Sequence, residues 1–229
     1  MVETKEVVKQ QVKPILDREF YKILVVSPPG KGKTYSFRNV DPNGFGLINL
    51  ENKPLPFKKL MTYHTRPLDR VQAYNAIVEY AKNPEITAIG IDSFSAYADM
   101  LMEEARRTKK GFDIFNFYNE ELSKFFTLIK KIRKEVILTS HSEIVGIEGQ
   151  QERRAKVQGR VWEGVLEKEF TIVMFGDSKF SDAGKPEYFF KLAEENTSAK
   201  CPPEIFGKDV YKIDNDAQFI LDKVVAFAS

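Results

Sequence analysis

The sequence has little of what would indicate an exported, disulfide-stabilised or membrane-spanning protein. It contains one cysteine, Cys201, so an intramolecular disulfide and a four-cysteine zinc site are both excluded. Its longest apolar runs are the length of a β-strand, far below the roughly 20 residues that a membrane helix needs. The N-terminal residues are rich in Glu and Lys and lack the apolar core of a signal peptide. We therefore expect a cytoplasmic protein without a membrane partner.

A large excess of charge is also missing. Lys plus Arg number 35 and Asp plus Glu number 33, so the formal charge of +2 gives no argument for a polyanionic partner, and any basic surface must be local. Hydrophobic residues make up 42% of the 229, which is enough for a substantial core. We expect one domain over residues 1–229. Residues 1–20 are expected to be an N-terminal extension that either docks on a neighbouring copy or packs on its own sheet.

Short apolar runs alternate with helical patterns along the chain. The predicted strands are 21–27, 45–50, 86–91, 136–140, 170–175 and 187–192. The predicted helices begin at Lys33, cover 68–82, follow Ser93 to about 107, and cover 113–134 and 217–228. Residues 142–160 have no clear period and are predicted to form a loop. This alternation predicts an α/β fold with a mostly parallel central sheet, helices on both faces and a C-terminal antiparallel hairpin.

The stretch from Ser27 to Thr34 fits the Walker A pattern at every fixed position except the first, where serine replaces glycine. Its glycines would let the backbone wrap a phosphate, and the N-terminus of the predicted helix would favour the same anion. Lys33 is expected to reach the β and γ phosphates, and Thr34 to offer its hydroxyl to Mg²⁺. The alternative is a Gly/Pro turn before a helix. The residues assigned to the nucleotide are Ser27, Pro28, Pro29, Gly30, Lys31, Gly32, Lys33, Thr34 and Tyr35.

A second carboxylate is expected to complete the metal site. Asp92 stands at the carboxyl end of a predicted buried strand, where it would bind Mg²⁺ together with Thr34. The alternative is that Asp92 caps the following helix with Ser93 and Ser95. The two motifs together predict ATP and Mg²⁺ as the cofactors.

These motifs resemble the RecA-like recombinase core, and more closely the short phage-encoded RecA-core ATPases classed as single-strand annealing proteins. Ile91-Asp-Ser-Phe-Ser-Ala96 is similar to the family's Asp-Ser strand end, and Ile48-Asn-Leu-Glu51 is similar to the strand that carries its catalytic glutamate. The resemblance implies a RecA-like P-loop NTPase fold and a DNA-stimulated ATPase. It also implies that Glu51 is the general base for the attacking water; without the resemblance, Glu51 is an acidic loop residue.

The resemblance extends to the regions expected to bind DNA. Val136-Ile-Leu-Thr-Ser-His141 resembles the strand whose last polar residue senses the γ phosphate, which implies that role for His141. Residues 142–161 would then be the second DNA loop, and residues 104–117 would take the place of the first. Cations and aromatic rings, which hold single strands, occur in both, although a solvated charged surface has the same composition. The cations assigned to DNA are Arg106, Arg107, Lys109, Lys110, Arg153, Arg154, Lys156 and Arg160.

A last segment points to assembly. Residues 196–206 resemble the part of RecA-like proteins whose lysines reach the γ phosphate of the neighbouring subunit, which implies that Lys200 acts across an interface. The alternative is a surface lysine beside a proline turn. The implied partners are single-stranded DNA, further copies of the chain in a ring or filament, and a single-strand DNA-binding protein. The implied process is phage-type recombination in the host cytoplasm.

Two other functions are compatible with the same motifs. A small-molecule phosphotransferase also uses a Walker A loop and would need an Arg-rich lid. A nucleotide switch that acts on a replication or packaging protein would not need Glu51 for catalysis. ATP turnover with and without DNA distinguishes the three.

Overall fold

The computed structural model describes residues 18–146, 151–162 and 164–229, and in them helices cover both faces of a mixed β-sheet. The strands are β1 Lys22–Ser27, β2 Phe45–Asn49, β3 Tyr63–Thr65, β4 Ala88–Asp92, β5 Glu135–Val145, β6 Glu152–Ala155, β7 Ile172–Phe180, β8 Pro186–Lys191 and β9 Lys212–Asp214. The α-helices are α1 Arg70–Lys82, α2 Phe94–Thr108, α3 Asp113–Lys131, α4 Pro203–Phe206 and α5 Ala217–Ala228. Three 3₁₀ helices cover Thr34–Asn39, Arg160–Trp162 and Leu166–Glu169.

The sheet order is β3-β2-β4-β5-β1-β7-β8-β9, and β6 pairs with the far end of β5. The six strands from β3 to β7 in this order are parallel, whereas β8 and β9 are antiparallel additions. The predicted α/β fold with a C-terminal antiparallel hairpin is therefore confirmed. Because β5 lies between β1 and β4, the carboxyl ends of these three strands meet at one edge of the sheet, where a ligand site is expected.

Two apolar clusters, one on each face, hold the sheet between its helices. The β1 strand shows the alternation, since Leu24 and Val26 enter one cluster and Ile23 and Val25 the other. Helices α1, α2 and α3 cover the first face, and α4, α5 and the first 3₁₀ helix cover the second. All six residues of β1 are buried, and each aliphatic side chain contributes about 1.5–3 kcal/mol by its burial. The strand that precedes the Walker A residues is therefore a rigid support.

The structure corrects three predictions. The predicted loop 142–160 is wrong, because β5 continues to Val145 and pairs with β6 in an antiparallel hairpin. The helix after the Walker A residues is a six-residue 3₁₀ helix, too short to supply much of a dipole. The resemblance implies a first DNA loop at residues 104–117, but Arg106 and Arg107 belong to the last turn of α2 and α3 begins at Asp113, close to the predicted ends of these two helices. Only the turn 109–112 connects these two helices.

Two expectations concern the ends of the chain and membranes. The predicted N-terminal extension covers residues 1–20. Of these, residues 1–17 lie outside the described residues. Within the described part of the chain, no helix is long and apolar enough to span a bilayer.

Candidate active site

Residues 28–33 form a loop between β1 and the first 3₁₀ helix. Gly30 and Gly32 have φ angles of +76° and +81°, in the left-handed region that favours glycine. A Cβ on Gly32 would lie 2.8 Å from Cγ of Tyr188, so the loop also needs glycine there for space. Among the described residues, the backbone N–H groups of residues 30–32 have no hydrogen-bond partner. They are therefore available to bind an anion such as a phosphate.

Ser27, which replaces the first glycine of the motif, packs against Gly176 of β7. A Cβ on Gly176 would lie 3.0 Å from Cβ of Ser27. The serine therefore fits because the neighbouring strand has no side chain at the point of contact. Its Oγ lies 3.3 Å from Nζ of Lys33 and accepts a hydrogen bond from it.

The ammonium group of Lys33 is enclosed by acceptors. Its Nζ donates to the carbonyl oxygens of Ser27 at 2.9 Å and Pro28 at 3.0 Å, and lies 3.2 Å from Nδ1 of His141. The residue is 6% exposed, and burial lowers the pKa of Lys33 to about 8, although Asp92 and Glu51 oppose this shift. The site therefore contains a poorly hydrated positive charge, which attracts a phosphate more strongly than a solvated one does.

Asp92 lies at the end of β4 with both carboxylate oxygens occupied. Thr34 Oγ1 donates to Oδ2 at 2.6 Å, and Thr139 Oγ1 of β5 donates to Oδ1 at 2.5 Å. The residue is 1% exposed, and burial raises the pKa of Asp92 above its usual value, against the effect of the two hydrogen bonds. A buried carboxylate held only by hydroxyl groups is a costly arrangement for folding. Such a cost is typical of functional sites.

Glu51 follows β2 and faces the same edge of the sheet. Its Oε1 lies 3.3 Å from Nε2 of His141 and accepts a hydrogen bond from Ser93 Oγ at 3.3 Å. Its Oε2 pairs with Nζ of Lys53 at 2.8 Å. The hydrogen bond from His141 is the largest of the contacts that lower the pKa of Glu51 to about 2, against the opposing effect of burial. Glu51 is therefore a carboxylate at neutral pH, suited to accept a hydrogen bond.

His141 joins the two charged groups. Nδ1 faces the ammonium group of Lys33, and Nε2 faces the carboxylate of Glu51. We assign the neutral tautomer with hydrogen on Nε2, because it accepts from the lysine and donates to the glutamate at the same time. The side chains of Glu51, His141 and Lys33 are thus connected in a row by hydrogen bonds.

A cavity of about 420 Å³ opens over these groups. Its walls include the phosphate loop, Lys33, Thr34, Glu51, Lys53 and His141. Tyr35 and Tyr188, whose ring centroids are 5.8 Å apart, also line the cavity. The volume suits a nucleotide-sized ligand. The structure therefore brings Lys33, Thr34, Glu51, Asp92 and His141 together at one edge of the sheet.

The residues present fit a magnesium ion in their chemistry. Thr34 and Asp92 offer hard oxygen ligands, which Mg²⁺ prefers, and the buried charge of Asp92 has no cation in contact with it among the described residues. Elsewhere in the described ranges no three His, Cys, Asp or Glu side chains converge on a metal position. Mg²⁺ would therefore be held by these two residues together with phosphate oxygens and water.

The cations assigned to DNA lie away from this cavity and differ in their surroundings. Lys109 and Lys110 are exposed in the turn between α2 and α3, shortly after Arg106 and Arg107, which are exposed at the end of α2. In contrast, Arg153 pairs with Glu194, and Arg154 pairs with Glu152 at 2.5 Å. Lys156 is exposed, and Arg160 begins a 3₁₀ helix.

Lys200 lies beyond β7, outside the cavity. Its backbone forms a bridge with Val173, with hydrogen bonds of 3.0 and 2.8 Å. Val173 pairs with Leu24 in the middle of β1, so this bridge lies below the edge where the phosphate loop begins. Burial lowers the pKa of Lys200, while Glu167 and Glu169 oppose the shift. Within one subunit, Lys200 is not part of the site.

Sequence reasoning missed several residues that shape the cavity. Thr139 is one residue from the predicted end of a strand, and its polarity in an otherwise apolar run was the available signal. Lys53, Tyr188 and Asn215 carried no such signal, because Lys53 belongs to a loop, and Tyr188 in β8 and Asn215 after β9 lie far along the chain. Asn215 is 2% exposed, and its Nδ2 donates to the carbonyl oxygen of Gly32 at 3.1 Å.

The comparison with known families agrees with this geometry. The sequence profile of the AAA domain matches residues 19–211, well over half of the chain. The chain belongs to the AAA domain family. No curated protein matches it. As an AAA domain it is a P-loop NTPase with nucleotide-binding ATPase activity, and its sheet and loop have the expected arrangement. The family does not separate phage recombination proteins from other AAA ATPases, so that closer resemblance stays a prediction.

Proposed function

We propose that this AAA domain is an ATP-dependent single-stranded-DNA-binding protein that hydrolyses ATP and promotes annealing or strand pairing. The observation that supports hydrolysis best is the series of contacts from Glu51 through His141 to Lys33, beside the buried Asp92. A carboxylate and a cation thus lie next to two hard oxygen ligands, Thr34 and Asp92. These are the groups that phosphoryl transfer to water requires.

Each residue has a distinct part in this proposal. Lys33 and the N–H groups of the phosphate loop bind the phosphates, while Thr34 and Asp92 hold Mg²⁺. When bound, the ion neutralises phosphate charge. Glu51 accepts a hydrogen bond from the attacking water and orients it. Its low pKa makes it a weak proton acceptor, which suits a loose transition state in which orientation matters more than early proton removal.

The turn between α2 and α3 supports the DNA-binding part of the proposal. Phe112 is 89% exposed and Phe115 is 49% exposed, and four cations precede them in sequence: Arg106, Arg107, Lys109 and Lys110. Exposed aromatic rings close to cations match the way proteins hold single strands, by stacking on bases and neutralising phosphates.

The hairpin of β5 and β6 supplies the connection from nucleotide to DNA. His141 lies in β5, which continues without a break to Val145, and the N–H of Lys156 donates to the carbonyl oxygen of His141 at 2.7 Å. A change in the contacts of His141 is therefore passed to both strands of the hairpin. We propose that ATP alters the hairpin in this way, with Arg153, Arg154, Lys156 and Arg160 as its DNA cations.

The proposal extends to assembly. Lys200, which lies outside the site of its own subunit, would supply a cation to the nucleotide of a neighbouring copy in a ring or filament. A single-strand DNA-binding protein would present the DNA. Both statements follow from the resemblance to phage-encoded annealing proteins, and phage-type recombination is the process it implies.

Steady-state ATP hydrolysis with and without a long single-stranded DNA tests the proposal. We expect DNA to stimulate ATP hydrolysis by the wild type. We expect the Lys33→Ala and Glu51→Gln variants to lose this DNA-stimulated hydrolysis. Glu187→Gln is a matched carboxylate control, since Glu187 pairs with Lys179 outside the cavity. Tight ATP binding with negligible turnover would favour the nucleotide switch instead. Rapid transfer of phosphate to a nucleoside, without an effect of DNA, would favour a phosphotransferase.

A further inference from the structure

A series of ion pairs connects the phosphate loop to the β5–β6 hairpin. Its five members alternate in charge: Lys31, Asp177, Lys191, Glu194 and Arg153. Nζ of Lys31 lies 3.0 Å from Oδ1 of Asp177, and Nζ of Lys191 lies 3.4 Å from Oδ2 of the same carboxylate. Lys191 also contacts Glu194, and Glu194 contacts Arg153. The series runs from the loop after β1, across β7 and β8, to β6; we call it the ion-pair relay.

The members of the ion-pair relay are half-buried, with side-chain exposures between 19% and 32%. Water and salt screen such pairs less than they screen pairs on the open surface. Other contacts fix the two end cations. Lys31 also donates to Ser178 Oγ at 3.0 Å, and the guanidinium group of Arg153 lies 4.8 Å from the ring centroid of Phe175. The relay therefore has defined ends.

Lys31 is the point at which the relay holds the phosphate loop. It stands between Gly30 and Gly32, which have no side chains to fix the backbone. Its side chain extends to β7, whereas its N–H group belongs to the set available to a phosphate. The strand β7 meets the loop a second time where Gly176 packs against Ser27. Asp177 is thus the carboxylate that, together with the hydroxyl group of Ser178, holds the middle of the loop.

We propose that Asp177 is a positioning residue of the nucleotide site, which holds the phosphate loop through Lys31 and couples it through the relay to Arg153 of the hairpin. This inference rests on the proposed function, because it concerns how that site binds nucleotide. Coupling between two sites is reciprocal. A change at Arg153 therefore alters nucleotide affinity, although Arg153 lies outside the cavity, and bound nucleotide alters the hairpin.

The affinity for a fluorescent ADP analogue, measured with the full chain, tests the relay. Asp177→Asn is expected to weaken binding about threefold to tenfold, the scale of a half-buried ion pair, and Arg153→Gln about twofold to threefold. Asp177→Glu should restore part of the loss. In a Lys31→Met background, Asp177→Asn should have little further effect, because its partner is already absent. Glu187→Gln, which removes a 3.1 Å pair with Lys179 from the same two strands, should leave the affinity unchanged.

Salt dependence distinguishes positioning from loss of structure. The difference between wild type and Asp177→Asn should shrink between about 0.1 M and about 1 M salt, because ion pairs are screened and packing defects are not. If Asp177→Asn fails to fold, Lys191→Met interrupts the same relay and takes its place. Wild-type affinity in Asp177→Asn and Arg153→Gln would overturn the relay and leave the proposed function intact. Failure of the wild type to bind ADP would overturn the proposed function itself.

Discussion

Nδ1 of His141 lies 3.2 Å from Nζ of Lys33, so the residue that faces Glu51 also touches Lys33. One imidazole ring therefore contacts both the ammonium group of Lys33 and the carboxylate of Glu51. A nucleotide phosphate that draws Lys33 away changes one of the two contacts of His141 directly. The strand that carries His141 leads into the hairpin, which gives the contact a route to the surface.

The two nitrogens of His141 can be tested separately. His141→Asn keeps a polar atom near the position of Nδ1, toward Lys33, and His141→Gln keeps one near Nε2, toward Glu51. We expect both to lower the turnover number, by up to about 100-fold, more than they weaken ATP affinity. His141→Gln should retain more turnover, because Glu51 keeps a donor. Turnover and affinity that fall equally in both variants would contradict this division of roles.

Gly32→Ala should destabilise the protein as well as the site. The added Cβ would lie 2.8 Å from Cγ of Tyr188 at a φ of +81°, so both packing and backbone are strained. We expect a loss of about 2 kcal/mol in the free energy of unfolding, measured with urea. Gly184→Ala is the matched control, because Gly184 has a φ of +71° with nothing within 4 Å. Equal losses would show that the ring contact is unimportant.

Asp92→Asn should stabilise the protein while it weakens Mg²⁺-dependent nucleotide binding. Because burial raises the pKa of Asp92 in the folded state, the ionised group costs stability at neutral pH; its favourable contribution is present at low pH and is lost as pH rises. We expect the free energy of unfolding to rise by about 1 kcal/mol at pH 7, with a smaller gain near pH 4. Urea titrations at the two pH values measure this. A loss of stability at pH 7 would contradict the argument.

Arg70 should contribute stability that depends on pH in the opposite sense. It forms a bidentate pair with Glu104, at 2.5 and 3.0 Å, and contacts Glu121 at 3.0 Å. The hydrogen bond from Arg70 lowers the pKa of Glu104, so this contribution is present above the usual value of 4.5 and is lost as pH falls below it. Arg70→Met should cost about 1–3 kcal/mol at pH 7. Lys179→Met, which breaks an exposed pair, should cost less than about 0.5 kcal/mol.

Phe112→Ser should weaken binding to single-stranded DNA and leave basal ATP hydrolysis and stability unchanged. A stacked base is worth about 1–3 kcal/mol, so the DNA dissociation constant should rise about fivefold or more. Phe180→Ser is the matched control, because Phe180 is 77% exposed at the end of β7, in the hairpin of β7 and β8. Fluorescence anisotropy with a labelled oligonucleotide measures both variants. Equal changes in the two would indicate general surface hydrophobicity instead of a binding site.

The sequence was informative where local pattern and local structure coincide. The apolar run of β1, the glycines of the loop and Lys33 follow one another in the chain, so their arrangement was predictable. Asp92 was predictable because parallel strands bring their carboxyl ends together. The final helix matched its predicted bounds, Ala217–Ala228, since its pattern is strongly apolar.

The elements and site contacts that the sequence did not predict depend on contacts between segments far apart in the chain. The hairpin of β5 and β6 was missed because its paired residues, 142–145 and 152–155, are mostly polar and show no regular alternation. The edge strands β3 and β9 have three residues each, too few to show a period. Tyr188 reaches the loop only because β8 packs next to β7, which no local pattern reveals. The roles of Glu51 and His141 came from the resemblance, and their mutual contact came from the fold.

The contact between Ser27 and Gly176 bears on how the protein's relatives are expected to diverge. The two positions share one small volume, which the side chain of Ser27 at the end of β1 fills and Gly176 of β7 leaves empty. A relative with glycine at position 27 would have room for a methyl group at position 176, whereas serine at 27 together with alanine at 176 would overfill the space. Residues 27 and 176 should therefore covary among relatives, with a larger residue at one position accompanied by glycine at the other. Serine in place of the usual glycine at position 27 is thus compensated by glycine at position 176 in the neighbouring strand.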